Sequence, residues 1–383
     1  MALHFDDKEF MARKDQVLAE MGVRKLDAIL MFAQESMYWL TGYDTFGFCF
    51  FQCLILKSDG SVDLLTRAPD LRQARNTSNI KDIHVWVDRK DAGPHQQLRD
   101  LLNDLGLLGM RLGLEYDTQG LTAGNGKKLD AILSDFAQLS DISDLVHALR
   151  LVKSEAERVY VRKAAELNDA AFQAALDTAG PGVDEGAILA AMHNQIFTGG
   201  GDYPGNEFII GSAEDALLCR YKSGRRALSP RDQLTLEFAG TYRHYHVAGM
   251  RTVIIGEPSE RHVELHDAAR EALTECEKAM RPGNTFGDVF DAHARVFDER
   301  GLHAHRLNAC GYSLGARFTP CWMDWAMFYK DNPIEIVPDM VLFAHMILAD
   351  SETNTAMTLG RSYLTHDGEA EPLSRFGLDL YTR

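Results

Sequence analysis

The densest group of chemically capable residues lies between positions 234 and 252. Glu237 stands inside an apolar run that predicts a strand, where an ionised carboxylate is costly unless it is paired or hydrogen-bonded. In the strand predicted next, alternation places His244 and His246 on one face and Arg251 on the other. A carboxylate beside a histidine-bearing strand could act as an acid, a base or a nucleophile. The alternative is a structural ion pair between Glu237 and Arg251.

A basic cluster precedes this group and comprises Arg220, Lys222, Arg225 and Arg226. Arg220 could hold a substrate carboxylate through two parallel hydrogen bonds. A solvated hairpin is the better interpretation of the other three basic residues. Cys219 is an alternative nucleophile, although the sequence offers it no assured histidine partner.

The composition narrows the class of protein. With 383 residues, 45% of them hydrophobic, the chain is long enough for two domains with separate cores. Acidic residues outnumber basic ones by 56 to 40, and the net charge of −16 argues against nucleic acid and anionic membranes as partners. Six cysteines without C-x-x-C spacing, and an N-terminus without the apolar run of a signal peptide, favour a cytoplasmic protein. The acidic balance alone identifies no substrate.

The first 150 residues alternate predicted helices and strands. An amphipathic helix is predicted over 10–21, a buried strand over 26–32 and a hairpin over 49–66 with Asp59-Gly60 at its tip. This pattern indicates a mixed α/β domain.

The character of the chain changes near residue 150. Ser154 is predicted to cap a helix over 155–178, with Glu157 as its capping-box partner. A second helix over 184–197 is followed by strands over 233–238 and 242–255. Further helices and late strands predict an α+β second domain.

The chain resembles the creatinase, aminopeptidase P and prolidase family over nearly its full length. The first half carries the family phrases Asp27-Ala-Ile-Leu and Tyr38-Trp-Leu-Thr-Gly-Tyr43, and the junction reads Leu149-Arg-Leu-Val-Lys153. The resemblance implies an α+β fold, with a creatinase-like N-terminal α/β domain over 1–150 and a pita-bread catalytic domain over 151–383. It also implies a homodimer in which Tyr43 reaches over a neighbouring subunit's pocket.

The metallopeptidases of this family bind two metal ions through Asp, Asp, His, Glu and Glu. The resemblance aligns those five positions with Glu237, Ala248, Tyr312, His345 and a residue near Leu359. A paired site for hard cations depends on bridging carboxylates, and only one carboxylate is left. We therefore expect neither a metal ion nor another cofactor. A single zinc ion held by Glu237, His345 and a neighbouring histidine is the alternative.

The family also has a metal-free branch, which includes creatinase and ectoine hydrolase. The segment from Glu237 to His246, and Tyr312 within Gly-Tyr-Ser-x-Gly, are similar to ectoine hydrolase. By that resemblance Glu237 is the nucleophile or base. Both hydrolases carry an upstream histidine, and Arg220 or Cys219 stands at that place here.

The resulting hypothesis is a metal-independent hydrolase of a C–N bond in a small, compact, ectoine- or creatine-like solute. The predicted catalytic residues are Glu237, His246, Tyr312, His345 and Arg251. The predicted substrate-binding residues are Arg220, His244, Tyr242, Tyr43 and Trp322. The alternatives are a non-catalytic descendant that binds a small molecule or a partner, and an Xaa-Pro peptidase with an altered metal site.

Overall fold

A computed structural model describes residues 3–220 and 226–383. The chain divides into two compact units, Met1–Arg150 and Leu151–Arg383. Within the described ranges, no helix combines the length and the apolar character needed to cross a bilayer.

Unit 1 is built on a mixed sheet whose strands run in the order β4-β3-β2-β1-β5-β6. Its strands are β1 (Ala28–Met31), β2 (Cys53–Lys57), β3 (Val62–Arg67), β4 (Asp82–Trp86), β5 (Arg111–Leu114) and β6 (Gln138–Asp141). Its helices are α1 (Asp7–Arg24), α2 (Gln34–Thr41), α3 (Leu71–Thr77), α4 (Pro94–Asp104), α5 (Ala123–Leu133) and α6 (Ser143–Leu151). Apolar side chains of β1 alternate between two cores, one on each face of the sheet. The predicted α/β character of this half is confirmed.

Unit 2 is built on a sheet whose main path runs β11-β10-β12-β13-β9-β8-β7, with β14 paired to β13 and β15 to β9. Its strands are β7 (Ile209–Ser212), β8 (Asp232–Tyr242), β9 (Tyr245–Ile255), β10 (Ala309–Ser313), β11 (Asp324–Tyr329), β12 (Val341–Asp350), β13 (Thr355–Leu364), β14 (Glu371–Pro372) and β15 (Tyr381–Thr382). Its helices are α7 (Glu155–Thr178), α8 (Glu185–Thr198), α9 (Glu260–Ala279) and α10 (Phe286–Glu299).

Helix α7 begins where the sequence predicts it. Ser154 accepts a hydrogen bond from the backbone N–H of Glu157, whose side chain accepts one from the Ser154 N–H, so the capping box is complete. The helix then packs on one face of β8 and β9. Phe172 stacks on Phe238 at 5.5 Å, and a Cβ at Gly240 would lie 1.9 Å from the carbonyl oxygen of Ala164. Only glycine permits this approach, which leaves the other face of the sheet for the site.

Candidate functional site

The site is built on a row of residues that crosses four strands. Glu237 of β8 pairs with Met250 of β9, Met250 pairs with Gly360 of β13, and Gly360 pairs with His345 of β12. Directly paired residues on neighbouring strands project to the same face of a sheet. Glu237 and His345 therefore share the face opposite α7, and Gly360 contributes no side chain between them.

Tyr312 and Trp322 extend this row as a chain of hydrogen bonds. The Tyr312 hydroxyl donates to Oε1 of Glu237 at 3.1 Å, and the indole N–H of Trp322 donates to the Tyr312 oxygen at 2.9 Å. Glu237, Tyr312 and Trp322 are 7%, 2% and 1% exposed. Water therefore competes little for these bonds, and their geometry is fixed.

The surroundings of Glu237 tune its acidity. Burial raises the pKa of Glu237 to about 7, although the Tyr312 hydrogen bond and the positive charge of Arg220 both oppose the rise. The carboxyl group therefore exists in both protonation states near neutral pH. Burial also raises the pKa of Tyr312, so its hydroxyl keeps its proton.

His345 is the other polar side chain of the row. Burial, reinforced by the charge of Arg220, lowers the pKa of His345 to about 4, so the imidazole is neutral at physiological pH. Its ring lies 5.8 Å from that of Tyr312 and 5.5 Å from that of Phe343. Within the described part of the chain, Nδ1 of His345 is buried without a hydrogen-bond partner.

His246 pairs with Thr241 and lies on the same face as Glu237, but its ring is hydrogen-bonded to backbone groups. Its Nε2 accepts a hydrogen bond from the Gly205 N–H at 2.9 Å, which places the ring proton on Nδ1, 3.4 Å from the Gly315 carbonyl. Burial lowers the pKa of His246 to about 3. The predicted catalytic role of His246 is corrected, because both ring nitrogens are engaged by the backbone and the ring stays neutral.

His244 lies in the turn between β8 and β9, outside the strand alternation. Arg243 and His244 both have left-handed backbone, with φ of 50° and 65°. The His244 ring stacks on Phe318 at 4.2 Å. The predicted shared face with His246 is wrong because β9 begins only at Tyr245. A role for His244 in substrate binding stays a prediction.

Arg251 points away from Glu237. It pairs with Leu236, one residue before Glu237, and so lies on the face that α7 covers. Its guanidinium donates to the carbonyls of Met250 and Gly360. Both the predicted catalytic role and the alternative ion pair with Glu237 are therefore wrong, since the sheet separates the two side chains.

Tyr242 also lies on the α7 side of the sheet. It pairs with Tyr245, and its ring lies 5.7 Å from that of Tyr160 in α7. The predicted role of Tyr242 in substrate binding is corrected, because strand alternation turns it away from the Glu237 face.

The arginines of the basic cluster differ in their surroundings. Arg220 is exposed, and its charge acts on both Glu237 and His345. Arg226 is ion-paired with Asp232. The predictions for Lys222 and Arg225 lie outside the described residues.

Cys219 and Tyr43 do not have the properties predicted for them. Burial raises the pKa of Cys219, so it is a thiol and a poor nucleophile at neutral pH. Tyr43 is fully buried in the core of unit 1, where its hydroxyl lies 3.3 Å from Gln52 and 3.3 Å from Thr66. Its predicted role at a neighbouring subunit's pocket is corrected, because none of its surface is exposed.

The side chains present do not fit a pair of divalent metal ions. Ala248 offers no ligand atom, and Leu359 pairs with Met346 and Arg251 on the opposite face from Glu237. The Tyr312 hydroxyl keeps its proton and is already engaged. Across residues 3–220 and 226–383, no group of three or more His, Cys, Asp or Glu side chains could hold a metal ion.

Sequence reasoning missed the segment that supports Trp322. The side chain of Asn206 accepts a hydrogen bond from the backbone N–H of Trp322 at 3.1 Å, and the backbone N–H of Gly205 donates to His246. The signal available was Pro204-Gly205-Asn206, which indicates a turn but does not show what the turn contacts.

Comparison with known proteins gives consistent matches along the whole chain. The model of metallopeptidase family M24 matches residues 159–359, and that of the creatinase/prolidase N-terminal domain matches residues 13–152. An uncharacterized hydrolase/peptidase of Sinorhizobium fredii, y4tM, is 25% identical, with 100% of this chain and 99% of that protein covered. The ectoine hydrolase of Halomonas elongata is 24% identical, again over 100% of this chain and 99% of that protein. The structure of a prolidase from Thermococcus sibiricus superposes with a TM-score of 0.88 at 19% identity, covering 98% of this chain and 99% of that one.

Proposed function

The chain belongs to metallopeptidase family M24 and is a hydrolase, and from that premise we propose that it cleaves a C–N bond of a small nitrogenous solute without a metal ion. The substrate class is a compact amidine or amide, ectoine- or creatine-like, that bears a carboxylate. The observation that carries the proposal is the buried Glu237 bonded to Tyr312, with a pKa of about 7.

Glu237 is suited to act as a base and then as an acid. One oxygen, Oε1, accepts the Tyr312 hydrogen bond, and no described residue donates a hydrogen bond to Oε2. A group whose pKa lies near the working pH can take a proton and return it in the same cycle. Oε2 is therefore available to the water that would attack the substrate.

Hydrolysis of an amidinium substrate begins at Glu237. Glu237 takes a proton from water, and the water oxygen bonds to the amidinium carbon. Glu237 returns that proton to one nitrogen of the tetrahedral intermediate, whose bond to carbon then breaks. The remaining hydroxyl proton passes to the released amine, so amidinium and water give an amide and an ammonium ion. Neutral His345, which shares the Glu237 face, would hydrogen-bond to the intermediate.

The proposal of metal independence is supported by the donor set. The residues that share the Glu237 face supply a single carboxylate, a tyrosine that keeps its proton and a neutral histidine. Bridging carboxylates, on which a two-ion hydrolytic site depends, are missing from these positions. We expect the activity to survive chelation.

Arg220 supports a substrate that bears a carboxylate. Its charge lowers the pKa of both Glu237 and His345. Its exposed guanidinium can bind a carboxylate through two parallel hydrogen bonds. A zwitterionic solute would then place its cationic amidinium at Glu237 and its anion at Arg220.

Turnover with defined compounds tests the proposal. The purified protein is incubated with ectoine, creatine and Xaa-Pro dipeptides, with and without EDTA, and the products are identified by mass spectrometry. We expect a C–N hydrolysis product that is unaffected by EDTA and absent with Glu237→Gln. Binding without product would favour a receptor. Dipeptide cleavage lost with EDTA would favour an altered Xaa-Pro peptidase.

A further inference from the structure

We infer that Trp322 is a positioning residue that directs the Tyr312 hydroxyl proton onto Glu237. The inference rests on the proposed role of Glu237 as the reacting carboxylate. The indole N–H lies 2.9 Å from the Tyr312 oxygen, and that oxygen lies 3.1 Å from Oε1 of Glu237. Trp322 would thus act on the reaction through Tyr312, in addition to any contact with substrate.

The direction of the chain follows from the chemistry of the three groups. A tyrosine hydroxyl both donates and accepts, and its proton can rotate about the C–O bond. An indole N–H can only donate, so Trp322 occupies a lone pair of the Tyr312 oxygen. The Tyr312 proton must then point to the other neighbour, which is Glu237. This arrangement leaves Oε2 of Glu237 for water and substrate.

The same bond makes Tyr312 a better donor. Hydrogen bonding from Trp322 lowers the pKa of Tyr312, against the larger effect of burial. A more acidic hydroxyl donates more strongly, and hydrogen bonds in a chain reinforce one another. The Tyr312 bond in turn lowers the pKa of Glu237, against burial. The indole is therefore linked to the acidity of the carboxylate.

Two backbone contacts hold Trp322 in this position. The backbone N–H of Trp322 donates to the side chain of Asn206 at 3.1 Å. The preceding Gly205 is tied to His246, and a Cβ at Gly205 would lie 2.8 Å from the Trp322 nitrogen. His246 therefore holds the turn that contacts Trp322. This explains why a buried, neutral histidine lies beside the site.

The test measures the acidity of Glu237 directly and needs no substrate. Glutamate is labelled with ¹³C in the carboxyl group, the Glu237 signal is assigned by its loss in Glu237→Gln, and its chemical shift is followed from pH 5 to 9. Tyr312→Phe should raise the pKa of Glu237 by about one to two pH units. Trp322→Phe should raise it by a smaller amount, about 0.3–0.5 unit. In the Tyr312→Phe background, Trp322→Phe should add nothing.

Trp86→Phe is the matched control, because the Trp86 indole also donates a buried hydrogen bond, 2.8 Å from the Phe51 carbonyl in unit 1. It should leave the Glu237 titration unchanged. Replacing Trp322 with benzothienylalanine keeps the bicyclic shape and removes the N–H, which covers the case in which phenylalanine unfolds the protein. The inference fails if either substitution leaves the titration as in the wild type, or if Trp322→Phe gives the same increase without Tyr312. Loss of the proposed function would appear separately, as an active Glu237→Gln enzyme.

Discussion

Arg251 and Glu237 lie on opposite faces of one sheet, although each pairs with a residue that is adjacent in sequence to the other. Arg251 pairs with Leu236, and Glu237 pairs with Met250. The Arg251 guanidinium donates to backbone carbonyls, and the Glu237 carboxylate accepts from Tyr312. The arginine therefore stabilises the sheet, and no cation among residues 3–220 and 226–383 is in direct contact with the glutamate.

Replacing Arg251 should reduce stability and spare catalysis. Arg251→Met removes the donors to the Met250 and Gly360 carbonyls and to Gly377, 3.4 Å away. Removing the donors to the buried Met250 and Gly360 carbonyls should lower the free energy of unfolding by about 3 kcal/mol. The measurement is urea unfolding at pH 7, paired with kcat per folded molecule.

The value of kcat distinguishes this role from the catalytic one. If Arg251 stabilised charge that develops in the reaction, replacing it would lower kcat about 10²–10³-fold. We expect a change of less than about threefold. A loss of kcat with unchanged stability would contradict the placement of Arg251.

Features that depend on local interactions could be predicted from the sequence. The capping box of Ser154 and Glu157 joins residues three apart, and α7 begins where it predicts. The bonds that build the site join distant segments. Tyr312 is 75 residues from Glu237, and Gly205 is 41 residues from His246. Propensity and periodicity contain no information on which distant segments meet.

The turn between β8 and β9 shows a second reason for error. Two-residue hairpin turns with positive φ usually contain glycine or asparagine, and here Arg243 and His244 take these positions. Without that signal, residues 242–255 are predicted as one strand, which brings His244 into the alternation. The family resemblance supplied Glu237, Tyr312 and His345 correctly as neighbours, because it carries information about tertiary structure.

Neutralising Arg220 should make Glu237 less acidic and weaken the binding of an anionic substrate. The charge of Arg220 lowers the pKa of Glu237, so Arg220→Gln should raise it above about 7. A base must be deprotonated to act, so kcat/KM rises with pH through this pKa, and the variant's rise should occur at higher pH. KM for a carboxylate-bearing substrate should increase about 10–100-fold.

Arg231→Gln is the matched control for Arg220. Arg231 is a surface arginine of the same unit whose side chain is 82% exposed beside Glu257. It should change neither the pH profile nor KM. A substrate amide that lacks the carboxylate should lose the KM effect of Arg220→Gln and keep the shift in pH profile. An unchanged profile in Arg220→Gln would contradict the coupling to Glu237.

Replacing His246 should destabilise the protein, and it should move the pH profile of activity by no more than about 0.3–0.5 unit, the change expected when the Trp322 bond is lost. His246→Phe leaves the Gly205 N–H without its acceptor, which should cost about 2–3 kcal/mol of unfolding free energy. Folding lowers the pKa of His246 from 6.5 to about 3. The wild type therefore loses stability as pH falls through this range, since the unfolded chain binds the proton first. His246→Phe should not show this loss, which urea unfolding from pH 7 to 4 would measure.

His246→Gln is the conservative variant, because its amide oxygen can still accept from Gly205. It should recover part of the lost stability and most of kcat. A proton-carrying His246 would give the opposite result: stability retained in His246→Gln, with kcat reduced 100-fold or more.

Removing the charge of Glu237 should stabilise the protein above neutral pH. Burial raises the pKa of Glu237 from 4.5 to about 7. As pH rises through this range, the unfolded chain gives up its proton first, so the wild type loses stability. The full effect is up to about 3 kcal/mol. Glu237→Gln lacks this loss, so its advantage in unfolding free energy should be absent at pH 4 and complete at pH 8. Turnover should fall by about 10³-fold or more in the same variant.

Glu115 of unit 1 provides the contrast that ties this gain to the Glu237 site. Burial also raises the pKa of Glu115 to about 7, but its carboxylate accepts hydrogen bonds from the N–H groups of Phe32 and Ala33 and from the Ser36 hydroxyl. An amide has one acceptor oxygen where the carboxylate has two, so Glu115→Gln leaves a donor unpaired and should destabilise the protein at pH 8. From the described residues Glu237 accepts a single hydrogen bond, so the amide replaces it without that penalty. Equal stabilisation by Glu237→Gln and Glu115→Gln at pH 8 would contradict this explanation. The gain in unfolding free energy would then come only from removing a buried charge, and the number of hydrogen bonds to the carboxylate would not matter.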